Sequence, residues 1–167
     1  SLMKQVDCGL EIIWVNENIR SYKKLLPTII KYPEAYIITV DDDIIYERWR
    51  ISGLVESSKK HPNSVIGYRG WEVSFEDNEF KPYSSWRKAN GNTPSNMTFL
   101  TGVGGILYPP KILKKDMLLD IKSAQALAPT ADDIWFWAVE LMPNVEVKCL
   151  GYEKHLQIRF DDNENSL

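Results

Sequence analysis

Short apolar runs alternate with polar, turn-rich stretches along this chain, and their periods predict an α/β domain. Leu10-Glu11-Ile12-Ile13-Trp14-Val15 reads as a strand. Ser21 is placed to cap a helix from Tyr22 to about Tyr32, with Leu25, Leu26, Ile29 and Ile30 at helical spacing. Pro33 stops that helix, and Pro27 would kink it. Tyr36 to Val40 is a second strand, which completes a parallel strand-helix-strand unit. Trp49, Ile51, Leu54 and Val55 then fit an amphipathic helix between Tyr46 and Lys60, and Ser64 to Tyr68 is a further strand. Gly70 to Thr98 is polar and aromatic without a strong period, which predicts a long functional loop or a short hairpin over a site. A glycine turn from Thr101 runs into a strand ending at Tyr108, and Pro109-Pro110 opens a helix through about Leu118. Thr130 and Asp133 have the spacing of a capping box ahead of a buried helix from Ile134 to Met142. Val145 to Leu150 reads as a strand and Leu156 to Phe160 as a possible last one. The acidic tail 161–167 is expected to be loose.

The chemistry concentrates where the second strand ends. Ile37-Ile38-Thr39-Val40 runs directly into Asp41-Asp42-Asp43, followed by Ile44-Ile45-Tyr46. In an open α/β sheet, ligands bind outside the carboxyl ends of the strands. Three adjacent carboxylates repel one another unless a cation or a ring of donors offsets them. Hard ions such as Mg²⁺ and Mn²⁺ take oxygen ligands and are often shared with substrate phosphates. The physical expectation is a metal–diphosphate site, set against an acidic turn that merely faces water. Gly102, Gly104 and Gly105 form a tight turn whose bare backbone would let a sugar or phosphate approach, or that simply enters a strand. It does not follow the dinucleotide-binding fingerprint, because it runs into a strand and not a helix. Trp71, Trp86 and Tyr83 in the long polar segment are candidates for stacking on a sugar face.

Composition narrows this picture. With 167 residues, one domain spanning 1–167 is expected, and 44% hydrophobic content suffices for a core. A net charge of -3 argues against nucleic acid as the main partner. Two cysteines without paired spacing, Cys8 and Cys149, predict free thiols in a reducing, cytoplasmic setting. No apolar run approaches the roughly 18 residues of a membrane span. Residues 1–9 read as a lead-in, with Ser1-Leu2 an added leader ahead of Met3.

Val40-Asp41-Asp42-Asp43 with Ile44-Ile45-Tyr46 resembles the Asp-x-Asp motif of GT-A glycosyltransferases, in particular bacterial family-2-like transferases. The likeness extends to Ile19 to Leu25, to Leu100 to Pro110, and to Ala131-Asp132-Asp133-Ile134-Trp135, in that order. It implies a GT-A-like, mixed but mainly parallel sheet flanked by helices, and transfer of a sugar from a nucleotide-diphosphate donor to a hydroxyl acceptor. Mn²⁺ or Mg²⁺ is the implied cofactor, inversion the implied stereochemistry, and surface polysaccharide or another glycoconjugate the usual destination. By the same likeness Asp41 and Asp43 are the outer acids of the motif. Asp43 would touch the metal, with Asp41 nearer the nucleoside or behind the ion, and Asp42 would point into the sheet or towards the ribose. Asp133, beside Asp132, takes the place of the catalytic base, in competition with plain helix capping. Lys24 would face the donor, and His155 has the late position of a metal-binding histidine.

A full domain of this kind carries a further strand-helix-strand unit ahead of Leu10, so the chain is expected to be truncated at its N-terminus. An exposed 10–15 edge would then be covered by dimerisation. Two rival readings remain. One is a remnant or partner-dependent donor-binding module. The other is a haloacid-dehalogenase-like phosphatase, for which Ile45 stands where Thr or Val is expected.

Overall fold

The computed structural model describes residues 2–91 and 93–151. The predicted strand 156–160, the acidic tail and His155 lie outside the described residues. In chain order the elements are α1 (Leu2–Val6), a 3-10 turn (Arg20–Lys24), α2 (Leu26–Lys31), β1 (Ile37–Thr39), α3 (Trp49–Lys60), β2 (Ser64–Gly67) and β3 (Gly70–Glu72). They continue with β4 (Phe75–Glu76), β5 (Glu79–Phe80), a 3-10 turn (Tyr83–Ser85), β6 (Arg87–Lys88), β7 (Thr98–Leu100), a 3-10 turn (Gly102–Gly104) and β8 (Ile106–Tyr108). Last come α4 (Lys115–Leu118), α5 (Ile121–Leu127), α6 (Asp132–Leu141) and β9 (Glu146–Cys149).

The central sheet has the order β1-β8-β2-β9. β8 lies antiparallel between β1 and β2, and β9 pairs parallel with β2. Strands β1, β2 and β9 therefore run the same way, but the pairings of this and the other sheets are mostly antiparallel, which corrects the mainly parallel expectation. The reason is the insertion of β8, whose direction no local pattern encodes. Val65, Ile66, Leu107 and Val147 are fully or almost fully buried along this sheet. Each such side chain contributes about 1.5–3 kcal/mol by leaving water.

Residues 10–15 form no strand. Trp14 is 86% exposed, and Glu11 is instead tied to Lys31 and the Tyr32 hydroxyl. Apolar character alone does not make a strand, and this segment joins no sheet, so the expected parallel unit through these residues is absent. The exposed edge of the central sheet is β1 itself, on which no strand pairs opposite β8 among the described residues.

The predicted helix from Tyr22 divides at Leu25 into a 3-10 turn and α2, with Pro27 in the first turn of α2, where proline is tolerated. Ser21 lies inside the 3-10 turn and caps nothing. Its neighbour Tyr22 is wholly buried and donates its hydroxyl to Ala128 O at 2.6 Å, which docks this segment on the end of α5. Pro109-Pro110 makes a turn, with Lys111 in the left-handed region at φ 59°, and no helix starts there. The unpredicted α5 is capped by Asp120, whose carboxylate accepts from Ser123 N at 3.1 Å.

The long polar segment is more ordered than a loop. β6, β3 and β7 form an antiparallel sheet, while β4 and β5 form a hairpin turning at Asp77-Asn78, both with positive φ. Aromatic rings from this layer pack on α6: Phe99, Trp86 and Phe80 all meet Trp137.

Candidate functional site

Four segments converge at the end of β1: the Asp41–Asp43 turn, the Arg20–Lys24 turn, the Gly102–Gly104 turn and the start of α6. Lys24 Nζ donates to Asp41 Oδ1 at 2.9 Å and lies 3.5 Å from Asp132 Oδ2. The second contact is too long and ill-directed for a hydrogen bond, so the buried Asp132 oxygen is compensated only through space. The Gly102 N–H donates to Asp133 Oδ1 at 3.1 Å. A Cβ on Gly102 would stand 3.0 Å from Lys24 Nζ and 3.2 Å from Asp133 Oδ1. Glycine is what lets the backbone enter between the ammonium and the carboxylates.

The expected capping box does not form. Ala131 is the N-cap and no side chain caps α6. Asp133 turns instead to the Gly102 amide, so the helix start contributes its partial positive charge while both carboxylates face the site. Burial is the main force on the Asp133 carboxyl and the Asp132 charge adds to it. Against them stand the Gly102 amide bond and Lys24, and the net effect raises this carboxyl to about 6. For Lys24, burial opposes the charge, yet the bond to Asp41 and the fields of Asp132, Asp41 and Asp133 outweigh it and hold the ammonium above its ordinary value.

Below this cluster on α6 lies a further buried acid, one that no local pattern singles out. Glu140 is 4% exposed, and desolvation, with the Asp133 charge second, pushes it up to about 8. The fields of Glu140 and of both aspartates reach Tyr108, whose phenol burial already pushes well up.

Three further residues frame the glycine turn. Tyr46, left outside α3 because that helix begins at Trp49, accepts from the Asp41 N–H at 2.9 Å and donates to Val103 O at 3.1 Å. It ties the acidic turn to the glycine turn. Arg50 is almost wholly buried, stacks over Tyr68 at 4.6 Å and Trp49 at 5.0 Å, and reaches Gly104 O at 3.4 Å. A basic residue within an amphipathic helix is the signal that would have found it. Arg69, just past β2, stacks over Trp71 at 4.6 Å and accepts through its carbonyl from Thr101 N at 3.0 Å.

The structure thus brings Lys24, Asp41, Asp132 and Asp133 together around Gly102. Asp42 and Asp43 stand exposed in the turn beyond β1, away from the sheet interior. Gly104 packs on Arg69, and Gly105, at φ 81°, lies behind against Thr39 O and Tyr46. Trp71 is half-buried at the edge of the aromatic layer. Trp86 packs between Phe99 and Trp137, with its indole N–H on Lys81 O at 2.9 Å, and is a wall of that layer. Among the described residues no three histidine, cysteine or acidic side chains are grouped to cage a metal. The exposed carboxylates of Asp42 and Asp43 are nonetheless the hard oxygen donors that Mg²⁺ or Mn²⁺ takes one or two at a time alongside a diphosphate. The donor set therefore fits such an ion.

No helix among the described residues is long and apolar enough to cross a membrane. Comparison with protein-family models, with curated proteins and with solved structures gave no match to this chain.

Proposed function

We propose that this chain is a GT-A-like glycosyltransferase domain that moves a sugar from a nucleotide-diphosphate donor to a hydroxyl of a glycan or lipid-linked glycan, with inversion. The observation that carries the reading is Asp133. Its carboxyl is raised to about 6, next to a glycine turn and across from a cation, at the strand end where the acidic turn projects. A general base works best with a pKa near the operating pH.

In this reading the acceptor hydroxyl gives its proton to Asp133 as its oxygen bonds to the anomeric carbon. The bond from that carbon to the diphosphate oxygen breaks, and the electron pair leaves with the diphosphate. Mn²⁺ or Mg²⁺ held by Asp43, with Asp42 beside it and Asp41 behind, would neutralise the leaving diphosphate as a Lewis acid. Lys24 fixes Asp41 and holds the Asp132 charge, and Tyr46 fixes the backbone of the acidic turn. The bare backbone of Gly102 lies between Lys24 and Asp133, where a side chain would crowd both.

Calorimetric titration of UDP and GDP with and without Mn²⁺ tests this proposal. Ion-dependent binding that disappears in Asp43→Ala, with folding intact, is expected. Unchanged binding in that variant removes the metal assignment. A second reading, a donor-binding module that works only with a partner chain, draws on the uncovered edge of β1 and on Tyr36 and Val40 exposed at its two ends. Nucleotide binding without any sugar transfer by the chain alone would favour it.

A further inference from the structure

The Gly102–Gly104 turn separates two unlike halves. Gly102 faces the acids and Lys24, whereas a Cβ on Gly104 would meet Arg69 N at 2.8 Å and Arg69 Cβ at 2.9 Å. The Arg69 carbonyl is pinned to Thr101 N, one residue before the amide that holds Asp133. On the Arg69 side lies a cavity of about 140 Å³ lined by Arg69, Gly70, Trp71, Lys88 and Ala89. Trp71 pairs across the strands with Lys88 on one side and Phe99 on the other, so the indole and the lysine share one face of the sheet. The Tyr83 ring lies 5.2 Å from that of Trp71, and its phenol feels both the Arg69 guanidinium and the Asp133 carboxylate. Pocket and base therefore sit at the same end of the sheet, on opposite sides of one glycine turn.

The chemistry of this pocket is specific. Trp71 lines the cavity beneath the Arg69 guanidinium, with the Tyr83 ring beside it, and aromatic surface of this kind packs on a pyranose ring. Arg69 is half-buried, and among the described residues it forms no ion pair with a carboxylate. Its planar fork matches a carboxylate or phosphate in two parallel hydrogen bonds. A neutral sugar would use the rings and leave that fork idle. An anionic one would use both, while its hydroxyl reaches over Gly102 towards Asp133.

We propose that the Arg69–Trp71 pocket binds the carboxylate or phosphate of an acidic saccharide, so that the acceptor of the transfer is an anionic sugar. This rests on the reading of Asp133 as the base that receives the acceptor proton. The carboxylate and phosphate sources share the same recognition, and the choice of probe separates them.

The test is a ligand-observed NMR titration of methyl β-D-glucuronide, glucose-6-phosphate and methyl β-D-glucoside into the full chain and into Arg69→Gln and Arg69→Lys. UDP with Mn²⁺ is titrated in parallel, and circular dichroism checks the fold of each variant. At least one anionic probe should bind about tenfold or more tightly than the glucoside, as hydrogen bonds to a charged group usually contribute. That advantage should vanish in Arg69→Gln and survive in part in Arg69→Lys, with nucleotide affinity unchanged in both. Should Arg69→Gln not fold, loss of the advantage in the full chain at high salt, with glucoside binding unaltered, replaces it. Equal binding of the three probes, or an anion preference that persists in Arg69→Gln, overturns the proposal. An anion preference without nucleotide binding leaves the pocket standing and removes glycosyl transfer. Nucleotide binding without an anion preference does the reverse.

Discussion

Glu140 offers a sharp test of the electrostatics beneath the site. Its carboxyl is buried in the second half of α6 and is raised from 4.5 to about 8, first by desolvation and then by the Asp133 charge. Between those values the folded protein keeps a proton that the unfolded chain gives up. Stability is then greatest below the unfolded value and falls as pH rises through the folded one. Each pH unit in that window corresponds to about 1.4 kcal/mol, so the loss reaches about 3 kcal/mol at pH 7 and about 5 kcal/mol above pH 8. Glu140→Gln keeps the shape and removes the ionisation. The variant should match the parent within about 1 kcal/mol at pH 5 and exceed it by about 3–5 kcal/mol at pH 8.5. Urea unfolding followed by tryptophan fluorescence at the two pH values measures this. With an m-value of about 1–3 kcal/mol/M, the difference moves the midpoint by about 1 M or more. Asp133 also holds its proton above its ordinary range, but it is present in both proteins, so to first order its own titration cancels. A difference between variant and parent that stays constant from pH 5 to pH 8.5 would refute the assignment of Glu140 as a buried neutral acid.

The remaining predictions concern the cluster around Gly102. If Asp133 is the base, kcat/KM for transfer rises with pH as its carboxyl ionises and levels above about 6. Asp133→Asn should lower kcat about 10²–10⁴-fold while nucleotide binding persists. Lys24→Met removes a charge that lowers the Asp133 carboxyl, so the acid limb of that profile should move upward. It also leaves the Asp132 charge uncompensated, and the variant should lose about 1–3 kcal/mol in thermal unfolding. Gly102→Ala places a methyl 3.0 Å from Lys24 Nζ and 3.2 Å from Asp133 Oδ1. It should fold, as judged by circular dichroism, yet lose about tenfold or more in kcat/KM, since small displacements at a reacting centre are costly.

The sequence by itself located the acidic turn at the end of β1, the helices α3 and α6 and strands β2, β8 and β9. It did so because burial with a regular period, and the acids or turn residues that interrupt it, are local properties. It failed where a segment's structure depends on what lies beside it. Residues 10–15 have the pattern of a strand but pair with no strand among the described residues, and Gly70 to Thr98 lacks a period because its strands are two or three residues long. The capping spacing at Thr130 was equally local, and the Gly102 amide, 31 residues away, claimed Asp133 instead. Only the tertiary structure set β8 antiparallel between β1 and β2 and closed Lys24 on Asp41 and Asp132. It alone brought Tyr46 to the glycine turn, stacked Arg69 on Trp71 and buried Asp133 and Glu140 deeply enough to raise both carboxyls. The residue types of a site are written along the chain. Their mutual distances and the water excluded from around them, which together set charge and reactivity, exist only once distant segments have packed.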